Sequence, residues 1–467
     1  MTGSGVAKAA RVDPELLRRF DRSGPRYTSY PTAVEFHSGI GEADYARHLR
    51  EADSGGSGQA LSLYVHIPFC ERLCSFCACH FIATPHRHVA ATYLQFLARE
   101  VDLLAERLPN RRLLAQMQWG GGTPTYLSPA ELERLFATIH RHFEVSAGAE
   151  LAIEVDPRVT TAQHLAVLRS LGFNRLSMGV QDFTPAVQEA IGRRQTFEET
   201  RALVDAARAL GFSEGINFDL IYGLPLQDET SFEVNLDRLL ELRPDRVAMY
   251  SFAYVPWARP HQRRIEAATL PAGEIKLALS LSAFDRLLDA GYEPIGMDHF
   301  ALPEDALAVA KRQGRLHRNF QGYSTQPDCD LIALGVSAIG RVGATYSQNA
   351  KTLEEYYDLL DQGRLPVVRG LAVTRDDLVR RAVIMALMCQ GEVQFEAIEL
   401  AFLIDFRSYF ANELVALAEL QQQGLVQLGD SDVQVTADGW FFVRAIAMVF
   451  DRYLQADRTR AKFSKIL

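Results

Sequence analysis

Cys70-Glu-Arg-Leu-Cys74-Ser-Phe-Cys77-Ala-Cys79 is the most informative stretch of this 467-residue chain. It holds four of the six cysteines and directly follows the apolar run Leu61–Phe69, whereas Cys329 and Cys389 stand alone. Because a disulfide framework would spread its cysteines along the chain, thiols at this density indicate a metal ion or a metal cluster.

The spacing of these cysteines favours a cluster over a single ion. Structural zinc usually takes two ligands from each of two separate knuckles, and no second Cys or Cys/His pair follows at that spacing. An iron–sulfur cluster can take three thiolates from one CxxxCxxC loop and leave one iron open to a substrate or a cofactor. We therefore expect an iron–sulfur site, with zinc as the alternative.

The composition is that of an ordinary globular protein with more than one domain, since 48% of the residues are hydrophobic and 23% are charged. A net charge of −9 argues against a general nucleic-acid-binding role. No apolar run of membrane-spanning length occurs, and Met1 to Arg19 shows no apolar signal segment. Clustered thiols without such a signal lead us to expect a reducing cytoplasm and no membrane partner.

Residues 60–291 alternate between short apolar runs and amphipathic segments. The pattern predicts strands at Leu61–Phe69, Gln116–Gly120, Ala149–Val155, Arg175–Gln181, Asn217–Gly223 and Arg246–Phe252. It predicts helices at Tyr93–Leu108, Pro129–Phe143, Thr161–Leu171, Phe197–Leu210, Thr230–Leu242 and Glu274–Ala290. Six strand–helix repeats predict an α/β fold with a parallel sheet and right-handed crossovers. A doubly wound sheet shares this pattern, but nearly every unusual residue lies just after a strand, which favours the single functional rim of a βα barrel.

Both flanks of this region differ from it. Residues 1–59 contain one polar helix, Pro14–Arg22, and a segment around Pro31 that is predicted to be extended. Beyond Thr374, helices are predicted at Asp376–Cys389, Phe395–Leu400, Tyr409–Gln423 and Gly439–Leu454, with a hairpin at Gly424–Thr436. We therefore predict an N-terminal extension at 1–59, a catalytic domain at 60–370 and a mostly helical, winged-helix-like C-terminal domain at 371–467.

Glycines and polar residues follow the predicted strands. Trp119-Gly-Gly-Gly-Thr-Pro-Thr125 lacks the Gly-Lys-Ser/Thr ending of a phosphate loop, and it is either a tight turn or a place where backbone approaches a ligand closely. Glu154 ends the third strand, where a carboxylate can accept two ribose hydroxyls, whereas Asp156 beside Pro157 is expected to make a cap or a salt bridge. Gln181, Asp219 and Ala253 lie on the same rim, so we expect the polar side chains among them to face a ligand.

A basic run follows in the less regular part of the chain. Lys311-Arg-Gln-Gly-Arg-Leu-His-Arg318 leads directly into Asn319-Phe-Gln-Gly-Tyr323. A solvated face explains most charge runs, but the aromatic and amide residues that follow are typical of a pocket wall. Because arginine binds carboxylates through two parallel hydrogen bonds, the run fits a substrate with several carboxylates.

These motifs together resemble the oxygen-independent coproporphyrinogen III oxidases (coproporphyrinogen dehydrogenases), which are radical S-adenosylmethionine (SAM) enzymes of haem synthesis. The resemblance rests on the cysteine run, Tyr64-Val-His-Ile-Pro-Phe-Cys70, Gly120-Gly-Gly-Thr-Pro-Thr125, Ile153-Glu-Val-Asp-Pro157, Ser177-Met-Gly-Val-Gln-Asp-Phe183, Asp219-Leu-Ile-Tyr-Gly-Leu-Pro225, Gly296-Met-Asp-His-Phe300 and His317-Arg-Asn-Phe-Gln-Gly-Tyr323. It also includes Pro25-Arg-Tyr-Thr-Ser-Tyr-Pro-Thr32 and reaches Phe463-Ser464, so it covers nearly the whole chain. It implies a partial (β/α)6 radical SAM barrel whose active site is covered by the N-terminal extension.

The resemblance also implies roles for individual residues. Cys70, Cys74 and Cys77 would ligate a 4Fe-4S cluster. The positions matching those around a first SAM are Tyr64, Gly121, Glu154 and Ile339, and those around a second SAM are Phe76, Cys79, Gly122, Thr123, Gln181, Arg193, Asp219 and Ala253. Phe320, Gln321 and again Cys79 match residues of the catalytic centre.

The implied reaction is the oxidative decarboxylation of two propionates of coproporphyrinogen III to vinyl groups, which gives protoporphyrinogen IX. A 5′-deoxyadenosyl radical made from SAM would remove hydrogen from the propionate β-carbon. The implied partners are the substrate and a low-potential donor of the flavodoxin or ferredoxin kind, and the enzyme is expected to be a monomer. Two alternatives remain, a radical methyltransferase and a haem chaperone of the same superfamily. Cys79 and the N-terminal segment argue against the chaperone, which typically lacks both.

Overall fold

One open sheet of twelve strands forms the centre of this computed structural model, which describes residues 14–20, 23–55, 60–212, 215–326, 329–456 and 463. Its six central strands are β1 Leu61–Ile67, β2 Leu113–Gly121, β3 Glu144–Val155, β4 Arg175–Gln181, β5 Ile216–Tyr222 and β6 Arg246–Ser251. Neighbouring members of this set pair in parallel along the whole series. The carboxyl ends of all six therefore meet at one rim.

The sheet is extended on both sides by shorter strands. These are β7 Glu293–Gly296, β8 His299–Ala301, β11 Asp330–Leu334, β12 Ile339–Val342, β13 Thr345–Asn349 and β14 Val367–Ala372, with β9 His317–Asn319 and β10 Gly322–Ser324 forming a separate hairpin. The order in the sheet is β14-β13-β12-β11-β1-β2-β3-β4-β5-β6-β8-β7. Strand β11 pairs with β1 in parallel, and the sequence pattern missed it because it is five residues long within a glycine-rich stretch.

Helices at the predicted positions, and three that were not predicted, accompany these strands. In the first two thirds of the chain they are α1 Pro14–Phe20, α2 Glu42–Gly55, α3 His88–Arg107, α4 Pro129–His140, α5 Ala162–Ser170, α6 Pro185–Ala190, α7 Phe197–Ala209, α8 Glu229–Leu242, α9 Gly273–Asp289 and α10 Ala306–Arg312. The six helices predicted after the strands are confirmed to within five residues at each end, whereas α2, α6 and α10 were not predicted. The expectation of a single helix in residues 1–59 is therefore wrong, because the buried face of α2 is narrow and most of its residues are polar or charged. Among the described residues, no helix is long and apolar enough to span a bilayer. The predicted end of the first helix, Arg22, and the matching Ser464 lie outside the described residues.

The C-terminal part has its own hydrophobic core and is mostly helical. Its helices, with α11 Leu353–Asp361 before them, are α12 Arg375–Gln390, α13 Phe395–Phe402, α14 Phe406–Tyr409, α15 Ala411–Gln422, α16 Val443–Ala447 and α17 Arg452–Ala456. The predicted hairpin is present as β16 Val426–Leu428 and β17 Asp432–Val435, to which β15 Glu392–Gln394 adds a third strand. The division into 1–59, 60–370 and 371–467 stays a prediction.

The single helix predicted at Gly439–Leu454 is wrong, because the chain turns at Asp451. This residue is extended in the structure, with ψ near 99°, and it separates α17 from the short helical turns before it. Its buried carboxylate accepts hydrogen bonds from the Tyr27 hydroxyl at 2.9 Å and from the backbone N–H of Tyr453 at 3.0 Å. An aspartate that satisfies free N–H groups at the start of a helix favours a break over a continuous helix.

Glu100 on α3 holds the loop that leads into the candidate site. It is 2% exposed, and its carboxylate accepts from the Gly335 N–H at 2.8 Å, the Asn349 amide at 2.7 Å and the Tyr356 hydroxyl at 2.5 Å. Burial raises its pKa to about 7, although the three donors oppose this shift.

We therefore expect Glu100 to make stability depend on pH. Because the raised pKa means that the folded state holds a proton that the unfolded state releases, this contribution is fully present below pH 4.5 and is lost as the pH rises through 7. Relative to Glu100→Gln, the wild-type unfolding free energy should fall by up to about 1 kcal/mol per pH unit between pH 5.5 and 7. Thermal melts of both proteins across this range measure the difference, and Glu106→Gln, an exposed change on the same helix, should leave the profile unaltered.

Candidate active site

The cysteine loop follows β1 at the carboxyl rim of the sheet. It begins with Phe69–Cys70, which pairs in parallel with Ile82–Ala83, so the loop closes on itself. The Gly122 N–H donates to the carbonyl oxygen of Ile67 at 2.9 Å, and the Thr123 hydroxyl lies 3.3 Å from Cys70 Sγ. The loop is therefore fixed to the glycine turn after β2.

Two guanidinium groups surround Cys74, which is 8% exposed. Arg158 Nη2 donates to Cys74 Sγ at 3.5 Å and Arg193 Nη1 does so at 3.8 Å. Both arginines also pair with the buried Asp156, at 2.6 and 3.1 Å, and they hold the pKa of this carboxyl at about 2 against the effect of burial. The salt bridge expected for Asp156 is confirmed, and the two arginines place positive charge directly against Cys74 Sγ.

The donor set fits an iron–sulfur cluster. Cys70, Cys74 and Cys77 lie on one loop, and Cys74 has cationic donors in place to stabilise a thiolate. Within the described ranges, no three Cys, His, Asp or Glu side chains meet closely enough to hold a single metal ion. A cluster does not need such a meeting point, because each thiolate binds a different iron. The arrangement thus disfavours the zinc alternative.

Cys79 differs from the other three cysteines in its exposure, since its side chain is open to solvent. Its thiol hydrogen-bonds with that of Cys77, which is the main cause that lowers the pKa of Cys77 to about 7, while burial acts in the opposite direction. Cys79 also lies close enough to Tyr64 and Glu154 to influence both electrostatically. The fourth cysteine is therefore placed between the cysteine loop and the interior of the barrel.

The glycines after β2 are required by close contacts rather than by a turn alone. Gly121 has φ near +118°, and a Cβ atom there would lie 2.6 Å from the His66 ring. At Gly122 a Cβ atom would lie 2.4 Å from the carbonyl oxygen of Pro68, which is backbone and cannot rotate away. Only glycine lets the turn and the cysteine loop approach so closely.

A cavity of about 200 Å³ opens inside the rim next to this loop. Its lining contains Tyr64, Glu154, Phe320, Gln321 and Ile339, all singled out from the sequence, together with His66, Gln118, Ser337 and Ala338. The Gly121 N–H donates to Glu154 Oε2 at 3.1 Å, so all four residues matched to a first SAM come together here. The cavity is therefore the candidate site for that molecule.

The titratable groups of the cavity are tuned by burial. Burial raises the pKa of Glu154 to about 7, although the Gly121 N–H stabilises its charged form. Burial also lowers the pKa of His66 to about 4, so its ring is neutral at pH 7 and bridges the Tyr64 hydroxyl at 3.1 Å and the His80 carbonyl at 2.9 Å. The cavity thus presents a carboxyl group and neutral hydrogen-bonding groups, which suits a ligand with hydroxyls and one positive charge.

The residues matched to a second SAM come from the cysteine loop itself, from the turn after β2 and from β4, β5 and the segments that follow β4 and β6. The carbonyl oxygens of Phe76 and Ala253 accept from the same Gln262 amide, at 3.0 and 3.1 Å. Asp219 accepts from Ser177 Oγ at 3.1 Å and from the Asn217 amide at 2.9 Å. Thr123 and Arg193 contact cysteines of the loop, and Ala253 shares the Gln262 amide with Phe76, which is part of the loop. Asp219 instead lies within β5 of the sheet, and Gln181 is the last residue of β4, with φ near +69°.

Arg193 has more protein partners than the sequence suggested. Besides Asp156 and Cys74, its Nη2 donates to the Gly179 carbonyl at 2.5 Å. Its Nε is buried and has no hydrogen-bond partner among the described residues. Arg193 therefore fixes the cysteine loop, and its contact with a second SAM stays a prediction.

The basic run at 311–318 does not form one patch. Arg312 pairs with Glu293 and Arg315 is exposed, whereas Lys311 is half-buried and donates to the Pro294 carbonyl at 2.6 Å. Arg318 is the one buried basic residue of this run, with 5% of its surface exposed. It lines a groove whose other residues include Phe320, Arg341, Arg381 and, from the N-terminal segment, Thr28 and Ser29. Phe320 lines this groove as well as the cavity, so the two are neighbours.

Sequence reasoning missed several of these residues. His66 shares the face of β1 with Tyr64, and Gln118 pairs with Tyr64 across the sheet, so the period of two along a strand could have found both. No local signal indicates Ser337 or Ala338, which lie in a turn, or Arg158, which lies 84 residues from Cys74.

The fold and the cysteine loop define the class of the protein as a radical SAM enzyme. The family model described as the Radical SAM superfamily matches residues 64–239, which include the cysteine loop and strands β2 to β5. A second model, described as the HemN C-terminal domain, matches residues 373–442.

Similar proteins narrow this class to one family. A protein of Pseudomonas aeruginosa named oxygen-independent coproporphyrinogen III oxidase is 47% identical over 459 residues, which cover 98% of this chain and 99% of the relative. The Escherichia coli protein of the same name is 45% identical and covers 97% of this chain and 98% of the relative. A solved structure described as coproporphyrinogen III oxidase (HemN) from Escherichia coli, a radical SAM enzyme, matches with a TM-score of 0.90 and 45% identity, covering 96% of this chain and 100% of that chain. The chain therefore belongs to the family of oxygen-independent coproporphyrinogen III oxidases.

Proposed function

We propose that this protein converts coproporphyrinogen III to protoporphyrinogen IX by oxidative decarboxylation of two propionate side chains. The observation that carries the proposal is that the three-cysteine loop lies beside the cavity with Glu154, and that this cavity shares Phe320 with the arginine groove. Membership of the oxidase family supports the same conclusion.

The proposed cofactors are a 4Fe-4S cluster and two molecules of SAM. Cys70, Cys74 and Cys77 would hold the cluster, and the cavity residues Tyr64, Gly121, Glu154 and Ile339 would hold the first SAM. When bound, these groups together supply a radical that can remove hydrogen from an unactivated carbon. The second SAM is assigned to the side of the loop that carries Phe76, Thr123, Arg193 and Ala253.

The chain contributes orientation and exclusion of water. Both amide atoms of Gln321 are buried and lack a hydrogen-bond partner among the described residues, although the side chain lines the cavity. Because an unsatisfied buried amide is costly, these atoms are suited to bind a ligand at this point. Phe320 beside it supplies an apolar wall that keeps solvent from the reacting carbon.

The arginine groove is the proposed site for substrate carboxylates. Its lining residues in the described part of the chain include three arginines and no Asp or Glu. Arg318 donates to the Arg26 carbonyl at 3.2 and 3.3 Å, while its Nη1 is buried and has no hydrogen-bond partner in these ranges. A propionate entering the groove would satisfy this N–H, and the opposite charges make the contact favourable.

We expect Arg318→Gln to weaken coproporphyrinogen binding by about 2 kcal/mol, or about thirtyfold, because a charge-assisted contact with a desolvated carboxylate is lost. The remaining affinity should also depend less on salt. Arg315→Gln is the matched control, since Arg315 belongs to the same run but is exposed. Anaerobic binding titrations of the two variants measure the difference, and cluster content should equal that of the wild type in both. Equal affinities of both variants would assign Arg318 to packing alone.

One assay tests the reaction itself. Anaerobically purified, cluster-loaded protein is supplied with SAM, a chemical reductant and coproporphyrinogen III, and the products are analysed by mass spectrometry. The proposal requires the loss of two carboxyl groups as carbon dioxide and of two hydrogens per propionate converted. Gain of a methyl group identifies a methyltransferase, and an unchanged tetrapyrrole contradicts both activities.

The proposed function also implies an electron source and a cellular location. We infer that a low-potential donor of the flavodoxin or ferredoxin kind reduces the enzyme, because the reaction class needs single electrons at low potential. A reducing cytoplasm is the proposed location, since none of the six cysteines forms a disulfide. The monomeric state stays a prediction.

A further inference from the structure

The segment after β6 is tied to the cysteine loop by hydrogen bonds. His261 Nε2 donates to the carbonyl oxygen of Cys77 at 2.7 Å, and the buried Gln262 amide donates to that of Phe76 at 3.0 Å. The His261 ring also packs edge to face on Phe81 at the far end of the loop, with the ring centroids 5.4 Å apart. One side chain of this segment thus connects the protein surface to a cluster-binding residue.

The outer face of this segment is aromatic and positively charged. Trp257 is 65% exposed, Arg263 and Arg264 are exposed, and Arg259 is half-buried. None of these three arginines makes a salt bridge to a carboxylate within the described residues, and Glu266 is the exposed acid that follows them. In a chain of net charge −9, unpaired arginines beside an exposed tryptophan form a distinct surface.

We infer that this surface, Trp257 to Arg264, is the docking site of a small acidic protein that carries a one-electron, low-potential centre. The inference rests on the proposed function, because only an enzyme with a reducible cluster needs such a partner. Charge complementarity argues for the occupant, since unpaired arginines on an acidic protein attract an anionic partner and steer its approach. The exposed indole supplies the apolar contact that small transient interfaces use.

The position of the surface suits the transfer of one electron. The carrier is oxidised by one electron and the cluster is reduced by one, with no bond made or broken in the protein. His261 spans the distance between the docking surface and the Cys77 backbone through a direct hydrogen bond. A carrier docked here would therefore lie next to the loop that would hold the cluster.

The test compares charge-neutralised variants of the holoenzyme. We expect Arg263→Gln/Arg264→Gln to slow reduction of the cluster by flavodoxin hydroquinone about tenfold at low salt, because steering by surface charge is lost. The difference should shrink at 0.5 M salt, where the screening length is only a few ångströms. Stopped-flow bleaching of the cluster absorbance measures both rates. Trp257→Gln should also slow reduction, but without changing its salt dependence.

The matched control is Arg50→Gln/Arg141→Gln, which removes the same charge from exposed positions near the amino ends of the strands. Photoreduction with neutral deazaflavin needs no docking site, so its rate should be equal in all the proteins. A variant that is slow with deazaflavin as well has a damaged cluster. If the enzyme does not decarboxylate coproporphyrinogen III but the reduction rates differ as expected, the proposed function is wrong and the docking site stands. Equal flavodoxin rates in both double variants would overturn the docking site. A further outcome would also overturn it. If the wild type, but not Arg263→Gln/Arg264→Gln, binds anionic phospholipid vesicles while the flavodoxin rates of the two proteins are equal, the surface binds a membrane.

Discussion

Replacement of Cys70, Cys74 or Cys77 by serine is expected to abolish cluster assembly, whereas Cys79→Ser should keep iron and sulfide near the wild-type content. Each of the first three thiolates would hold one iron, and a fourth thiolate would close the position that SAM needs. The exposed Cys79, whose thiol lies against that of Cys77, remains available beside the cavity. Iron and sulfide analysis after anaerobic reconstitution measures the outcome.

Activity provides the second readout for this series. The three ligand variants should lose all turnover, and Cys79→Ser should lose turnover while its cluster absorbance persists. Cys389→Ser is a suitable control, because Cys389 is buried in a small apolar cluster away from the loop. If Cys79→Ser loses its cluster as completely as the others, the assignment of three ligands is wrong.

Asp156→Asn is expected to destabilise the protein by about 3–5 kcal/mol, because it leaves two buried guanidiniums without their shared counter-charge. Asp156 is 6% exposed and pairs with Arg158 and Arg193, and both of these arginines donate to Cys74. The change should lower the melting temperature by about 3–5 °C. It should also reduce cluster retention, because the arginines no longer hold their places beside the thiolate.

Melting curves and iron content of anaerobically purified protein test this expectation together. Asp237→Asn serves as the control, since it removes an exposed partner of Arg286 at the surface and should cost about 0–1 kcal/mol. If Asp156→Asn has the same melting temperature as the wild type, other groups must stabilise the two arginines.

The parallel sheet was predictable because its strands are short, mostly apolar runs that alternate with amphipathic helical segments. Buried parallel strands need such runs, and the six found in the sequence differ from β1 to β6 by at most five residues at an end. The helix predicted at 439–454 failed because its break depends on Asp451, whose partner Tyr27 lies 424 residues away. Local periodicity holds no information about such a contact.

The site was predictable in part for a similar reason. Tyr64, Glu154, Phe320 and Ile339 belong to local motifs, and the structure brings them to one cavity. The basic run at 311–318 was read as a unit, but alternation along β9 turns Arg318 inward while Arg315 precedes the strand and stays exposed. The pairing of Arg158 with Cys74 needs the tertiary fold and leaves no trace in the spacing of either motif.

The contacts of Tyr27 and Tyr30 have a consequence for the order in which the protein is made. Both rings are buried in the core of the C-terminal part, and their hydroxyls bond to Asp451 and to the backbone N–H of Arg452. Because 424 residues separate Tyr27 from Asp451, these contacts form only after the whole barrel between them has been synthesised. Thr28 and Ser29, which lie between the two tyrosines, line the arginine groove. This groove is therefore completed after the barrel and its cysteine loop have had time to form.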